Sequence, residues 1–205
     1  KNWKKIKVKK DNYIGYIKNK NFTKPIRPNY KVSTLKARLF SKPDYKKKIK
    51  KFLPFESRIK VIKKLGNFYK FDKYWIKTSD IIKASYQNKN IFKNIKIFKN
   101  TKYLWGGKSY KGIDCSALIQ ICFNENNKFC PRDSKDQERY FKKKVKIKNI
   151  RKNDIIFWKG HVAVCLSKKK LIHAYGPKKK VIIMDIKKTI NLIEKTAKLK
   201  VIGVK

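Results

Sequence analysis

The chain has 205 residues, of which 41% are hydrophobic and 13% aromatic, and its formal net charge is +45. This hydrophobic content is sufficient for a packed core, so the high charge does not by itself indicate a disordered chain. No apolar run is long enough to cross a bilayer, which argues against a membrane-spanning helix. The sequence starts without methionine and within a strand-like segment, and we therefore expect a fragment or a processed chain.

The positive charge is spread along the whole sequence. All but six of the 58 basic residues are lysines, and they are mixed with many isoleucines and asparagines. Proteins that read nucleic acids concentrate their charge on one face and favour arginine for bidentate contacts. The pattern therefore indicates a compositional drift rather than a specific nucleic-acid partner, although the summed field still attracts acidic ligands.

The first part of the chain has the pattern of an all-β region. Residues 1–22 contain two strand-like pieces separated by a turn at Asp11–Asn12, and several short strand signals follow up to residue 80. We therefore predict a small barrel or sandwich over 1–80. Residues 81–100 have the pattern of a helix or a linker, and a second region is predicted over 101–205.

The second region has the pattern of an α+β domain. Asp114 is placed to cap a helix over about 115–124, and residues 131–143 fit a short helix that opens at Asp133 or Ser134. A series of closely spaced strands follows. Their predicted ranges are 155–158, 161–166, 171–175 and 180–186, with a closing strand at the end of the chain.

The four cysteines do not have the spacing of a zinc site or a disulfide framework, and no metal or cofactor is predicted. Cys122 and Cys165 lie in apolar surroundings and are expected to be buried. Cys115 differs, because a helix start and a nearby imidazolium would lower the pKa of its thiol. The imidazole must come from His161 or His173, the only histidines, provided that the strand register puts them on one face. The alternative is a core thiol with two histidines that each satisfy a backbone carbonyl.

Four motifs in order carry a family resemblance. They are YLWGGKSYKGIDCSALIQ (103–120), PRDSKDQ (131–137), NDIIFWKGHVAVCL (153–166) and LIHAY (171–175). They resemble the NlpC-type cell-wall peptidases, which are papain-like cysteine enzymes. Upstream, DNYIGYI, STLKARLFSKPD, LPFESRI and KYWIKTSDI resemble the bacterial SH3-like domains of the γ-D-glutamyl-L-diamino acid endopeptidase branch. The resemblance implies an α+β papain-like domain preceded by a small SH3-like barrel.

The resemblance also implies roles for individual residues. Cys115 matches the nucleophile, His161 the general base and His173 the residue that orients the base. Tyr103 matches a tyrosine whose hydroxyl lines the site. The other matches are expected to hold or border the substrate, including its free amine: Trp105, Asp114, Ser116, Asp133, Ser134 and, in the SH3-like part, Asp11.

Two features of these matches lead to further expectations. Asp114 and Asp133 are expected to be unpaired acids, and such acids are suited to hold an ammonium group. Ala117 stands where the family usually has glycine, and only slight repacking is expected because alanine is the better helix former.

The implied activity is hydrolysis of the γ-D-glutamyl–diamino acid bond in muropeptides with a free N-terminal L-Ala. The implied protein is a monomer without a membrane span. Murein recycling would place it in the cytoplasm, and wall remodelling in the periplasm. Two alternatives remain, an acyltransferase or amidase on the same fold and a basic polyanion-binding protein.

Overall fold

The fold is taken from a computed structural model, which describes residues 2–18 and 25–205. The predicted strand-like pattern over 1–22 therefore lies partly outside the described residues, at 1 and 19–22. The rest of it forms an antiparallel hairpin of β1 (Trp3–Lys7) and β2 (Ile14–Lys18). Asn12 has a φ of 59° and its backbone N–H donates to Val8 O, which confirms the predicted turn.

The all-β region continues with eight strands in two antiparallel sheets. In spatial order, one sheet is β10-β3-β6 and the other is β5-β4-β9-β8-β7. Their shared core includes Val32, Leu39 and Ile76. The strands are β3 (Tyr30–Val32), β4 (Lys36–Phe40), β5 (Lys48–Pro54), β6 (Arg58–Ile59), β7 (Lys63–Leu65), β8 (Phe68–Phe71), β9 (Tyr74–Lys77) and β10 (Ile81–Lys83).

The segment predicted as a helical or linking piece begins as a strand. β10 pairs with β3, so residues 81–83 belong to the first region. Only one short 3-10 turn, Ile95–Phe98, follows before residue 101. Ile95 and Phe98 are fully buried in the core of the second region, so the segment packs rather than merely connects.

The second region is α+β, as predicted. Its main sheet has the order β16-β15-β14-β13-β17 and every pair in it is antiparallel. The elements in chain order are β11 (Lys108–Ser109), β12 (Gly112–Ile113), α1 (Cys115–Glu125), α2 (Ser134–Tyr140), β13 (Ile155–Trp158), β14 (His161–Cys165), β15 (Lys170–Tyr175), β16 (Lys180–Asp185), α3 (Ile186–Ala197) and β17 (Val201–Val204).

Two helices cover opposite faces of this sheet. α1 packs with the even-numbered residues of β14 and β15, such as Val162 and Ile172. α3 packs with the odd-numbered ones, such as Ala163 and Leu171. The sequence analysis did not predict α3. Among the described residues, no helix combines the length and the apolar character of a membrane span.

The first region holds the C-terminal end of α1. Lys31, whose side chain is fully buried, donates from Nζ to Glu125 O, and Arg58 Nη2 donates to Asn124 O at 2.9 Å. Cations at a helix C-terminus satisfy the last carbonyls and complement the helix dipole. These contacts fix the helix whose other end carries Cys115.

Candidate active site

Cys115 is the first residue of α1 and lies close to the start of β14. Its N-cap, Asp114, accepts a hydrogen bond from Ala117 N at 2.8 Å, so the predicted cap is present. The backbone N–H groups of Val162 and Ser116 both act on the sulfur. Since Val162 directly follows His161, the sulfur lies beside the residue that begins the strand.

The ionisation of Cys115 differs from the expectation. Burial raises the pKa of the Cys115 thiol to about 11, and the Asp114 carboxylate adds to the rise. The backbone N–H groups of Val162 and Ser116 lower the pKa by less than burial raises it. The prediction of a thiolate stabilised at a helix start is therefore wrong for the resting site, because Cys115 is only 7% exposed.

The two histidines share one face of the sheet. Cys165 pairs with Leu171, which puts the odd-numbered residues of β14 and β15 on the same side. His161 Nε2 then lies 2.9 Å from His173 Nδ1. Burial lowers the pKa of His161 to about 4 and that of His173, which is fully buried, to about 3. Both rings are therefore neutral near pH 7.

The hydrogen bonds assign the tautomers of these neutral rings. His173 Nε2 lies 3.4 Å from Met184 Sδ, and a thioether sulfur can only accept. The proton of His173 is thus on Nε2, which leaves Nδ1 to accept from His161 Nε2–H. His161 Nδ1 is then unprotonated, as a base requires. Sequence reasoning missed Met184, which no motif singled out.

Asp114 is part of a dense polar network. Its carboxylate is bound in bidentate fashion by Arg132, at 3.0 Å from Nη1 and 2.6 Å from Nη2. It also accepts from Gly106 N at 2.9 Å and from Ser116 Oγ at 3.2 Å. The expectation of an unpaired Asp114 is therefore wrong. Arg132 stands in the PRDSKDQ motif, but sequence spacing alone could not show that its guanidinium reaches back 18 residues.

Asp133 is exposed and its side chain makes no capping hydrogen bond to α2. It adjoins the Arg132–Asp114 pair in the sequence, and Ser134 begins the helix. Gln137, also missed, is fully buried and donates from Nε2 to Ser116 O and Pro131 O, both at 2.9 Å. It therefore ties the start of α2 to the start of α1.

The loop of Tyr103 and Trp105 borders the same end of α1. Tyr103 is half-buried, and burial followed by the charges of Cys115 and Asp114 raises the pKa of its hydroxyl. Trp105 is 83% exposed. The next residue, Gly106, has a φ of 74° that favours glycine, and this turn brings its N–H to Asp114.

Asp11 links the N-terminal hairpin to α1. Gln120 Nε2 donates to Asp11 Oδ2 at 2.9 Å, and the Gln120 Oε1 accepts from Lys108 Nζ. Burial lowers the pKa of Lys108 to about 8. The turn of the hairpin thus touches the helix that carries Cys115, five residues beyond the cysteine. Within residues 2–18 and 25–205, no three His, Cys, Asp or Glu side chains cluster as metal ligands.

The α+β region places Cys115 at the start of α1 and both histidines on its antiparallel sheet. Residues 100–197 match the family model described as the NlpC/P60 family. This match covers just under half of the chain and assigns those residues to an NlpC/P60-like domain.

Relatives and solved structures agree with this assignment. The chain is 35% identical over 86 residues to the dipeptidyl-peptidase 6 of Lysinibacillus sphaericus, covering 42% of this chain and 32% of that protein. It is 28% identical over 196 residues to the gamma-D-glutamyl-L-lysine dipeptidyl-peptidase of Bacillus subtilis strain 168, covering 87% and 65%. The chain thus spans less than two thirds of either relative.

The fold as a whole also has a solved counterpart. The crystal structure of an NlpC/P60 family protein from Bacillus cereus ATCC 10987 superposes with a TM-score of 0.80 over 100% of this chain and 75% of that chain, at 22% identity. At this identity the likeness concerns the fold alone. It extends over the all-β region as well as the α+β region.

Proposed function

We propose that the protein is a cysteine peptidase that hydrolyses the γ-D-glutamyl–diamino acid bond of peptidoglycan-derived peptides with a free N-terminal L-Ala. The single observation that carries this proposal is the hydrogen-bonded His161–His173 pair, whose first member precedes Val162, the residue that donates a backbone N–H to the Cys115 sulfur. A thiol, an imidazole and a group that orients the imidazole are the parts that nucleophilic acyl chemistry requires.

In the proposed mechanism, the Cys115 proton passes to His161 Nδ1 as Sγ bonds to the γ-carbonyl carbon. A separate ionisation of either group would leave a net charge in a buried site, whereas this internal transfer keeps the total charge unchanged. The His161 imidazolium then protonates the leaving amine as its bond to carbon breaks. His161 then takes a proton from a water molecule as the water oxygen bonds to the thioester carbon, and it returns this proton to the Cys115 sulfur as the C–S bond breaks and the acid is released.

The tetrahedral intermediate needs hydrogen-bond donors for its oxyanion. Backbone N–H groups at the first turn of α1 point out of the helix start and are placed for this purpose. Tyr103 adds a hydroxyl that the raised pKa keeps protonated. In this proposal Ser116 supplies a backbone N–H, while its hydroxyl remains in the Arg132–Asp114 network.

For the free amine of the substrate we propose Asp133 and Ser134 as binding residues. Asp133 carries an exposed carboxylate that makes no capping hydrogen bond, and its charge acts on the Arg132 guanidinium. We propose that Asp114 does not bind the amine directly, because its oxygens already accept five hydrogen bonds. It instead positions Arg132 and the loop that contains Gly106. Trp105 and Asp11 are proposed as wall residues of the cleft.

We propose that the all-β region is an SH3-like domain that completes the cleft, that the protein acts as a monomer, and that it works in the cytoplasm in murein recycling. The periplasm is the alternative compartment. The lysine-rich surface favours the approach of carboxylate-rich muropeptides.

A test of this function is the incubation of the protein with L-Ala-γ-D-Glu-meso-diaminopimelate, followed by mass spectrometry of the products. We expect L-Ala-D-Glu and free diaminopimelate. Transfer of the acyl group to an added amine or lipid in place of water would establish the acyltransferase alternative. No cleavage, together with tight and steeply salt-dependent nucleic-acid binding, would instead establish a polyanion-binding protein.

A further inference from the structure

A cavity of about 490 Å³ is lined in part by His161, and Asp114 is not among its lining residues. Tyr103 and His161 line it, together with Tyr175 and the Gly176–Lys178 turn. The far wall comes from α3 and the segment after it, including Leu192, Ile193 and Leu199. Its volume is in the range of roughly 300–1,000 Å³ that is typical of small-molecule sites.

The position of the cavity identifies the part of the substrate that reaches it. His161 must hand its proton to the leaving nitrogen, so the leaving residue lies on the His161 side of the sulfur. Arg132 and Asp133, which lie on the proposed acyl side, do not line the cavity.

The lining of the cavity is mainly apolar with a single lysine side chain. Apolar walls are what the methylene groups of a diamino acid side chain require. Lys178 is the one lysine or arginine among the lining residues, and the lining has no carboxylate. An ammonium group at the end of a lysine side chain would meet no counter-ion there, whereas a carboxylate would meet Lys178.

We propose that this cavity is the leaving-group subsite and that Lys178 selects a leaving diamino acid whose side chain ends in a carboxylate, as in diaminopimelate, over lysine. This inference rests on the proposed peptidase function and adds the residue that determines its specificity on the amine side.

The test uses three peptides of the form L-Ala-γ-D-Glu-X-D-Ala, in which X is meso-diaminopimelate, its side-chain amide or L-lysine. The α-carboxyl group of X is the same amide in all three, so they differ only at the end of the side chain. We expect the highest kcat/KM for diaminopimelate, and about a fivefold loss on amidation, in line with an exposed ion pair.

Lys178→Glu should remove the difference between the acid and the amide and raise the kcat/KM for the lysine peptide by about fivefold. The matched control is Lys180→Glu, which makes the same charge change at an exposed residue outside the lining. It should leave the order of the three peptides unchanged.

The outcomes separate this inference from the function on which it rests. Equal kcat/KM values for the three peptides, or equal effects of the two substitutions, would overturn the role of Lys178 while the peptidase function stands. No hydrolysis of any peptide would overturn both.

Discussion

The imidazole rings of His161 and His173 are joined by a hydrogen bond of 2.9 Å between Nε2 of the first and Nδ1 of the second. His173 also stacks on Tyr175, with ring centroids 4.7 Å apart and planes within 9°. The buried His173 is therefore fixed on both sides, and it in turn fixes the ring of His161. All proton transfers in the proposed reaction pass through this pair or through Cys115.

The first prediction concerns Met184, which we assign as a positioning residue. Met184→Leu removes the acceptor of His173 Nε2–H and leaves a buried donor unsatisfied, at a cost of about 1–2 kcal/mol that favours the other tautomer. We expect kcat to fall about tenfold with little change in KM.

Two readouts distinguish this role from a packing effect. Met184→Gln restores an acceptor on an unbranched side chain and should retain activity, and Ile183→Leu on the same strand should have little effect. The ¹⁵N shifts of His173 should report a proton on Nε2 in the native protein but not in Met184→Leu. An unchanged tautomer with reduced kcat would contradict the assignment.

The second prediction concerns the pH dependence of stability. Burial lowers the pKa of His173 to about 3, whereas histidine in an unfolded chain titrates near 6.5. The unfolded state therefore binds more protons below pH 6.5, and the stability present above that pH is lost as the pH falls toward 3. The maximum slope is about 1.4 kcal/mol per pH unit for each such histidine.

Urea denaturation at pH 7, 6 and 5 measures this slope. Because the pKa of His161 is also lowered, His173→Phe should reduce the slope without abolishing it. A variant with the same slope as the native protein would show that His173 is not the buried neutral group described above.

The third prediction concerns the Arg132–Asp114 ion pair. Arg132→Gln leaves a buried carboxylate with fewer donors, and we expect a loss of about 2–3 kcal/mol in the free energy of unfolding. We also expect a lower kcat/KM, because Asp114 holds both the Gly106 loop and the start of α1. Denaturation curves and peptide kinetics measure the two effects.

Arg139→Gln is the matched control, since Arg139 lies exposed in the last turn of α2. It should change stability by no more than about 0.5 kcal/mol. If both substitutions have equally small effects, the bidentate pair does not stabilise the site.

The sequence predicted the parts of the fold that depend on local pattern. Asp114 and the apolar face of α1 were evident, because capping and helical periodicity are local properties. The strands β13 to β16 were evident as apolar runs with breaks between them. The strand β5 was missed, because three of the seven residues of Lys48–Pro54 are lysines and obscure the alternation of apolar and polar residues.

The helix α3 and the network at the site were missed for different reasons. In α3, lysines and threonines separate the few apolar residues that face the sheet, and only Asp185 stands between the apolar run of β16 and Ile186. The contacts of Arg132 with Asp114 and of Met184 with His173 depend on tertiary packing and strand register, which sequence spacing does not specify. The neutral resting state of Cys115 and His161 follows from burial, which a motif does not report.

The most direct test of the account compares Cys115→Ala with Cys122→Ala, a substitution of the buried cysteine two turns further along the same helix. Hydrolysis of L-Ala-γ-D-Glu-meso-diaminopimelate is measured for both variants after circular dichroism has shown that they are folded. We predict that Cys115→Ala loses at least about 10³-fold in kcat, as expected for removal of a nucleophile, and that Cys122→Ala retains activity. Normal hydrolysis by a folded Cys115→Ala protein would contradict the assignment of Cys115 as the nucleophile.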